Sequence, residues 1–390
     1  MLTFAVPTRK LRAALPAALA LVTLSAAPAL RQRLEGWFQA WYPAVIRTRM
    51  AVTETRDISV PGYAVRKVER VSDSALPKAY QESGYTLVDT ARGEVFVGDV
   101  LHDPQRVAAG RPFDPAADLP NMSASLQEAF RLPVRIDVKP DARPGSPGPS
   151  ASAAPTLVPI TVSVLQGGEA DLRRPGFVSK DGATLLLGEF RRLADPPAAW
   201  RERELAARPG VHLSSGSFTA SEFLDFQCER CRVRTPEARR AVAERGGTLE
   251  VRFFPLSGAH EWAFAAAESG AALAGASVAA YEQYEKAIFA RGEGMDAAGA
   301  RQIAADAADA AGVRQAYESE LSSGRARERV LSDMQLGIRI GVTGTPTFVL
   351  DGLLVPGPRG MLENALFLSR GKPAGKPAPP PTLPPGERRP

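Results

Sequence analysis

The chain contains two cysteines, Cys228 and Cys231, which lie three positions apart in the stretch FLDFQCERCRVRTP, residues 223–236. Chance rarely places the only two cysteines of a 390-residue chain this close together, so the spacing itself favours a motif. Such a pair can form a disulfide, supply two ligands to a metal ion, or have no chemical role. The neighbouring residues help to decide between these alternatives.

The flanking elements place the first cysteine at the start of a helix. FTASEFLDF (218–226) is rich in apolar residues and predicts a strand that ends next to Cys228. TPEARRAVAERGG predicts a helix that continues from the cysteines and stops at Gly246 and Gly247. At a helix N-terminus the unpaired amide N–H groups and the helix dipole stabilise a thiolate. Cys231, one helical turn later, can then reach Cys228.

The charges near the pair act in both directions. Arg230, Arg232 and Arg234 would lower the pKa of the Cys228 thiol, whereas Glu229 would raise it. A lower pKa increases the fraction of nucleophilic thiolate and stabilises the reduced form, so that the disulfide becomes a stronger oxidant. The sequence therefore favours redox chemistry at this pair.

Two other roles fit the residues less well. A structural zinc site needs four ligands, and the three histidines, His102, His212 and His260, are far apart in the sequence. A purely structural disulfide would close a very short loop and would restrain little of the unfolded chain.

Composition limits the class of protein. A chain of 390 residues usually holds two or three domains, and 44% hydrophobic with 23% charged residues is ordinary for a globular protein. The net charge of +5 comes without a basic run interleaved with aromatic residues, so the composition speaks against nucleic-acid binding.

The N-terminus has the pattern of an export signal. Positive residues at 9, 10 and 12 precede the almost uncharged stretch Ala13–Leu30. Small residues at Ala27 and Ala29 suit cleavage, but the arginines at 31 and 33 are unusual just after a cleavage site. The eighteen apolar residues would nearly span the roughly 30 Å of bilayer hydrocarbon, with the positive end in the cytoplasm. We slightly favour a retained inner-membrane anchor over a cleaved signal, with the body of the chain in the periplasm or cell envelope; a buried N-terminal helix is the third alternative.

An aromatic stretch follows this segment. EGWFQAWYP (35–43) contains two tryptophans and a tyrosine. These residues suit either the membrane interface or the packed face of a helix.

The region from residue 55 to 208 predicts strands. DISVPGYAVRKVERV, GYTLVDTARGEVFVGDVL and LPVRIDVKP alternate apolar runs with turn residues. A stretch of Pro, Gly, Ser and Ala at 140–155 predicts a linker, and LVPITVSVL and GFVSKDGATLLLGEFRRL then predict further strands.

Two of these stretches share a pattern. GYTLVDTARGEVFVGDVL and GFVSKDGATLLLGEFRRL both have an aromatic residue after Gly, a turn, an apolar strand, and then Gly with an acidic residue. The pattern is that of a weak internal repeat, and a chance likeness of two hairpins is the alternative.

The C-terminal region predicts an alternation of strands and helices. TLEVRFFPL (248–256) predicts a strand, and residues 258–341 predict several helices. TPTFVLDGLLVPG (345–357) predicts two short strands about an Asp-Gly turn, followed by a closing helix in MLENALFLSRG. The remaining residues predict a Pro-rich disordered tail.

The sequence from about Gly216 to Arg370 resembles the thioredoxin superfamily, specifically the exported disulfide-bond protein A (DsbA) branch. EFLDFQCERC is similar to the family's strand and Cys-x-x-C motif, and Pro236 matches the proline that bends its active-site helix. FFPLSGAHEWAFAAAES is similar to the family's entry into an inserted helical domain, and GVTGTPTFVLDG to its loop with a cis proline. The resemblance implies a thioredoxin fold, an α/β class, with a helical insertion.

The resemblance also implies roles for individual residues. Cys228 would attack or be attacked, and Cys231 would resolve the mixed disulfide. Thr345 and Pro346 would bind the substrate chain beside the disulfide, with a cis bond between them. Glu222 would be a buried acid that assists proton transfer, with an exposed position at the strand edge as the alternative. Asp225 is the less favoured acid, and His260 is expected to cap the following helix rather than to take part in chemistry.

The sequence departs from the family in two respects. Glu229 follows the first cysteine where proline is common, so the redox potential cannot be carried over. The β-rich N-terminal region is not found in simple DsbA-like enzymes and weakly resembles the dimerisation domains of the disulfide isomerases DsbC and DsbG, which implies a possible homodimer and isomerase activity.

The predicted function is therefore that of an exported thiol-disulfide oxidoreductase. Its direction as oxidase, isomerase or reductase is open. Protein thiols and disulfides would be its substrates, a membrane redox partner would reset the cysteines, and no cofactor is needed because the cysteines carry the electrons. The alternative is a non-catalytic peptide-binding or scaffold protein with a thioredoxin fold.

The sequence also predicts the domain boundaries. They are a signal peptide or anchor at 1–34, a β-rich (α+β) domain at 55–139, the linker at 140–155, a second β-rich unit at 156–208, a DsbA-like domain at 211–370 with its insertion at 258–341, and a tail at 371–390.

Overall fold

The computed structural model describes most of the chain from Ala27 onwards. The described residues are 27–41, 48–72, 81–103, 105, 110–139, 156–166, 169–291, 294–357 and 360–371. The predicted linker at 140–155, and the predicted tail beyond Gly371, lie outside the described residues.

The N-terminal half forms one eight-stranded sheet rather than two separate β-rich units. Its strand order is β1-β2-β3-β4-β8-β7-β6-β5. Helix α1 precedes β1, helix α2 precedes β5, and each helix packs on the strand that follows it. The bounds are α1 (Ala27–Gln39), β1 (Thr48–Glu54), β2 (Ala64–Ser72), β3 (Gln81–Asp89), β4 (Glu94–His102), α2 (Pro115–Phe130), β5 (Val134–Val138), β6 (Leu157–Gln166), β7 (Glu169–Ser179) and β8 (Thr184–Arg192).

Within the residues that the structure describes, each half of this sheet has a helix, α1 or α2, followed by four strands. The two halves meet where β4 pairs with β8 in antiparallel register, with Gly98 directly opposite Gly188. Both glycines have positive φ, +151° and +157°, and a Cβ on either would overlap the backbone of the facing strand. These are the glycines of the predicted repeat, so the repeated pattern coincides with the centre of the sheet. A duplication of one helix-and-four-strand unit remains our proposal for this symmetry.

The C-terminal half contains the α/β fold that the sequence predicts. Its five-stranded sheet has the order β13-β12-β10-β11-β9, with β10 parallel to β11 and in the centre. Five helices lie between β11 and β12, close to the predicted insertion. The bounds are α3 (Pro197–Ala206), β9 (Val211–His212), β10 (Thr219–Leu224), α4 (Glu229–Ala243), β11 (Thr248–Phe253), α5 (Ala263–Ala276), α6 (Val278–Arg291), α7 (Ala297–Ala310), α8 (Arg314–Ser322), α9 (Arg325–Ile340), β12 (Thr347–Leu350), β13 (Leu353–Pro356) and α10 (Met361–Arg370).

A buried arginine joins the two halves. Arg201 on α3 is fully buried, and its guanidinium lies 4.2 Å from the ring centre of Trp41. It donates hydrogen bonds to the carbonyl oxygens of Ile340 (2.9 Å) and Gly352 (3.0 Å). Trp41 in turn accepts a hydrogen bond from the backbone N–H of Leu354. The Arg201 guanidinium therefore supplies hydrogen bonds to carbonyl groups of α9 and of the turn between β12 and β13. It also lies against an aromatic ring of the N-terminal half.

The aromatic residues near the N-terminus belong to this packing. Trp37, Phe38 and Trp41 are buried in the main core, and Trp41 contacts Trp200 of α3 at 6.3 Å between ring centres. Of the two interpretations of this stretch, the packed helix is confirmed. The predicted signal or anchor lies mostly outside the described residues, and its apolar helix is not confirmed. Among the residues described, no helix is both long and apolar enough to cross a membrane.

The structure departs from the predicted β-rich domain in two ways. The sheet begins at Thr48, ahead of residue 55, and a helix, α2, interrupts the strands. Asp114 caps this helix by accepting a hydrogen bond from the N–H of Ala116, and Pro115 occupies its first turn. Asp114 followed by Pro115 is a helix-start signal, and the sequence-based prediction of strands does not include this helix.

The facing glycines give a test of the central strand pairing. We expect Gly98→Ala or Gly188→Ala to lower the free energy of unfolding by at least about 2 kcal/mol, because a Cβ forces the two strands apart. Gly36→Ala, on the exposed face of α1 with open space around it, is the matched control and should be neutral or stabilising by up to about 1 kcal/mol. Urea denaturation of the full chain measures both. Equal effects at the three positions would contradict the register at the centre of the sheet.

Candidate functional site

The central strand and the helix that follows it position the two cysteines. β10 lies between β11 and β12, so it ends in the middle of the sheet. Asp225, Phe226 and Gln227 turn the chain, and Cys228 is the N-cap residue of α4. The prediction of a strand followed by a helix from the cysteines is confirmed.

The two cysteines have different environments. Cys228 is 9% exposed and Cys231 is fully buried. The Cys231 sulfur accepts a hydrogen bond from the backbone N–H of Asp225 at 3.5 Å. Both cysteines are free thiols in this structure, so it represents the reduced form.

The segment before β12 lies against the first cysteine. The Thr345–Pro346 peptide bond is cis, as predicted, and the Cys228 sulfur lies 3.5 Å from the Thr345 carbonyl oxygen. β12 runs antiparallel to β10, with Thr347 opposite Phe223. The loop and the cysteines thus meet at the same end of the sheet although more than a hundred positions separate them in the sequence.

Glu222 lies beneath the cysteines. It is fully buried on β10, and its Oε1 accepts a hydrogen bond from the Thr235 hydroxyl at 2.7 Å. Its other oxygen, Oε2, is buried and has no hydrogen-bond partner among the residues that the structure describes. Of the two alternatives for this residue, the buried position is confirmed and the exposed position is wrong.

The fold and the geometry agree with a comparison to known families. Residues 219–365 match the family model of the DSBA-like thioredoxin domain. These residues form a DsbA-like thioredoxin domain. The match falls inside the Gly216 to Arg370 range for which the sequence shows the resemblance.

Several solved structures are similar to part of this chain. ScsC of Proteus mirabilis is 14% identical, with a TM-score of 0.35 over 43% of this chain and 77% of that chain. The thiol-disulfide exchange protein alpha-DsbA2 of Wolbachia pipientis is 15% identical, with a TM-score of 0.36 over 43% and 93%. BdbD of Bacillus subtilis is 14% identical, with a TM-score of 0.32 over 39% and 86%. A search of curated proteins gives no match.

Hydrogen bonds set the ionisation of the pair in the DsbA-like domain. They lower the pKa of Cys228 from 9.0 to about 6, and the largest contribution is the hydrogen bond from the Cys231 thiol. Partial burial opposes this effect, and the backbone N–H groups of Cys231 and Arg230 add to it. Burial and the neighbouring Cys228 raise the pKa of Cys231 well above 9.0, and Glu222 raises it further. At neutral pH the pair therefore holds one thiolate and one thiol.

The arginine side chains that the sequence offers as additional causes are not among the main contributions to this shift. Arg234 is buried and donates to Glu237 and Glu363, and Arg232 is paired with exposed Glu229 at 3.8 Å. The helix N-terminus contributes instead through its backbone N–H groups.

Asp225 organises the loop opposite the cysteines. Its carboxylate accepts hydrogen bonds from the backbone N–H groups of Gln227 (2.7 Å) and Leu256 (2.8 Å) and from His260 Nδ1 (2.7 Å). The predicted capping role of His260 is wrong, because Trp262 is the N-cap residue of α5 and the imidazole binds Asp225 instead. Asp225 raises the pKa of His260, and the charge of Cys228 contributes in the same direction. No signal in the sequence indicates this contact, because 35 positions separate the two residues.

The other histidines lie elsewhere. His102 contacts Thr184 in the N-terminal sheet, and His212 pairs with Glu250 on β11. In the part of the chain described here, no three His, Cys, Asp or Glu side chains are grouped as metal ligands would be.

The ionisation of Cys228 can be measured directly. We expect the thiolate absorbance of the reduced protein to rise with a midpoint near pH 6, and Cys231→Ala to move the midpoint upwards because the main hydrogen-bond donor is removed. The pKa of Cys228 is lower in the folded protein than in the unfolded chain. The folding stability of the reduced protein, relative to that of the disulfide form, should therefore rise as the pH increases from about 6 towards 9 and fall as the pH decreases. Cys228→Ser is the control and should show no transition in this range. A midpoint near 9 in wild-type protein would contradict the hydrogen-bond account.

Proposed function

We propose that this protein is an exported thiol-disulfide oxidoreductase that exchanges disulfides with protein substrates through Cys228 and Cys231. In the direction of substrate reduction, the Cys228 thiolate attacks one sulfur of a substrate disulfide, and the other substrate sulfur leaves as a thiolate. Cys231 then loses its proton and attacks the Cys228 sulfur, which breaks the mixed disulfide and releases the second substrate thiolate. Two electrons pass from the protein to the substrate, and the reverse sequence oxidises a substrate dithiol.

The observation that carries this proposal is the unequal environment of the two thiols. The partly accessible Cys228 has a pKa of about 6 and is a thiolate at neutral pH, whereas the buried Cys231 keeps its proton. A structural disulfide or an inert buried pair would not need a stabilised thiolate at the accessible position. The match to the DsbA-like family supports the same function.

The loop at Thr345 and Pro346 supplies a site for the substrate backbone. Its carbonyl group lies 3.5 Å from the Cys228 sulfur. An extended substrate segment that pairs with the backbone of Thr345, as in strand addition, would place its own sulfur beside Cys228. Such pairing is independent of substrate side chains, which suits an enzyme with many protein substrates.

Glu222 is the group that we assign to proton transfer with Cys231. Burial raises the pKa of Glu222 to about 8, despite the opposing hydrogen bond from Thr235. A carboxyl group with a pKa near the working pH can both donate and accept a proton. It can therefore protonate Cys231 when this residue leaves, and accept its proton when it attacks.

We place the reaction outside the cytoplasm. The basic and apolar N-terminal stretch supports export, and an oxidising compartment suits a thiol pair of this kind. The cysteines carry the electrons without a cofactor, so a membrane redox partner would have to reset them. A homodimer built through the N-terminal half stays a prediction.

Replacement of the second cysteine tests the mechanism. Cys231→Ala should accumulate mixed disulfides between Cys228 and substrate proteins, because the resolving attack is lost, and these adducts can be identified after non-reducing electrophoresis. The matched control, Cys228→Ser with Cys231→Ala, should trap nothing. A non-catalytic scaffold would instead keep its cellular role in Cys228→Ser and would form no adducts with Cys231→Ala.

The reduction potential distinguishes the directions of electron flow. Equilibration of the full chain with glutathione buffers measures it. A potential near about −120 mV would indicate a donor of disulfides, and one near about −270 mV a reductant.

A further inference from the structure

A second buried carboxylate lies near the acid beneath the cysteines. Glu285 on α6 is 3% exposed. Its Oε2 accepts a hydrogen bond from the Tyr281 hydroxyl at 2.8 Å, and its Oε1 accepts one from Arg239 Nη2 at 2.5 Å. No step of the exchange described above uses this group.

Helix α4 links the two carboxylates. Thr235 donates to Glu222, and Arg239, one helical turn later, donates to Glu285. The charge of Glu285 also raises the pKa of Glu222, so the two carboxylates interact, and a bridging water molecule would complete the link. Glu222 Oε2 is the oxygen without a partner in the described part of the chain, so it is available for such a bridge.

Glu285 also lies at the surface end of this arrangement. It lines a groove of about 450 Å³ between α4 and α6, with Pro236, Arg239, Arg240, Ala243, Lys286 and Phe289. Because a water molecule occupies about 30 Å³ in the liquid, the groove is large enough for several water molecules. Glu285 therefore connects the buried region to solvent.

The proton that Glu222 carries needs a route to solvent. With a pKa of about 8, Glu222 carries a proton at neutral pH and can donate it to Cys231 at once. Before Glu222 can accept a proton from Cys231, it must lose the proton that it already carries. Cys231 is fully buried, so this proton does not reach solvent past Cys231. A second acid between Glu222 and solvent would remove this obstacle.

We propose that Glu285 is the second carboxylate of a proton relay that connects Cys231, through Glu222, to the groove between α4 and α6. This inference rests on the proposed function. The proton on Glu222 first moves to Glu285. As Cys231 attacks the Cys228 sulfur, its proton passes to Glu222, Glu285 releases its proton to water in the groove, and the substrate leaves with the electron pair of the broken S–S bond. In the opposite direction the same groups deliver one proton to the Cys231 thiolate.

The surrounding charges favour one proton shared between the two acids. Glu222 is influenced by Glu285 on α6 and by Arg234 and Arg239 on α4, and the charge of Glu285 opposes its ionisation. Glu285 in turn is influenced by Arg239 and by Glu282 on its own helix, and burial raises its pKa. Two negative charges in this buried region would repel each other, so one proton is retained until the route to solvent removes it.

Glu285→Gln tests the relay, with Glu282→Gln as the matched control. Both residues lie on α6 and pair with Arg239, but Glu282 does so at 3.6 Å with a side chain 34% exposed. Reduced protein is mixed with a dye-labelled glutathione disulfide. The first labelled thiol is released when Cys228 attacks, and the second when Cys231 resolves the mixed disulfide. For Glu285→Gln we expect the second release to slow by about 5-fold or more at pH 7 and to approach wild type above pH 8, where Glu222 is already ionised.

The other phases and variants separate a relay from a structural role. The first release should stay unchanged in both variants, and Glu282→Gln should leave both phases unchanged. Glu222→Gln should slow the second release at least as much, and adding Glu285→Gln to it should slow it no further. An unchanged or faster second release in Glu285→Gln would overturn the proposal, because an acid that acts only as a repelling charge would, once removed, ease the ionisation of Glu222. If wild-type protein released no second thiol at any pH, the proposed function itself would fail.

A measurement on the wild-type chain keeps the proposal testable if Glu285→Gln does not fold. With ¹³C-labelled glutamate, the carboxyl signals of Glu222 and Glu285 should each titrate in two steps at the same two pH values, because they share a proton. Independent single-step curves would overturn the relay.

Discussion

The hydrogen bond from the buried Cys231 thiol to the Cys228 sulfur is the interaction on which the redox site depends. It is the largest contribution that lowers the pKa of Cys228 to about 6, and it requires Cys231 to keep its proton. Burial beneath α4 and the neighbouring Glu222 ensure this by raising the pKa of Cys231. The fold thus provides a nucleophile and its stabilising donor in one helical turn, and the remaining problem is how the donor later loses its proton.

Much of the DsbA-like domain could be predicted because its signals are local. The two cysteines, Pro346 after Thr345, and the Asp-Gly turn between β12 and β13 each mark a position within a few residues. Glu222 is identified through the family resemblance, at a position six residues before Cys228. The contacts of Asp225 with His260, and of Arg239 with Glu285, join elements far apart in the sequence, and neither has a spacing that a single sequence reveals.

The N-terminal half was harder to predict for a related physical reason. Alternating apolar residues identify strands, but they do not say which strands pair, and the decisive pairing of β4 with β8 joins positions about ninety residues apart. Gly98 and Gly188 allow β4 and β8 to approach closely, but this becomes apparent only when the register of the two strands is known. The apolar residues also alternate between two cores, since Leu185 and Leu187 face the main core and Leu186 faces a separate cluster on the other side of the sheet. A strand that is buried on both faces loses the polar alternation by which its orientation could be read.

The two halves of the chain meet close to the redox site as well as at Arg201. The carboxyl end of α2 reaches the loop after β11, where the Phe130 carbonyl lies so close to Gly258 that a side chain there would overlap it. The same loop carries Leu256 and His260, both bound by the Asp225 carboxylate. It is therefore held on one side by the turn that precedes Cys228 and on the other by the N-terminal sheet and its helices. The charge of Cys228 raises the pKa of His260, so the loop that contacts the N-terminal half also carries a residue that interacts with the thiolate.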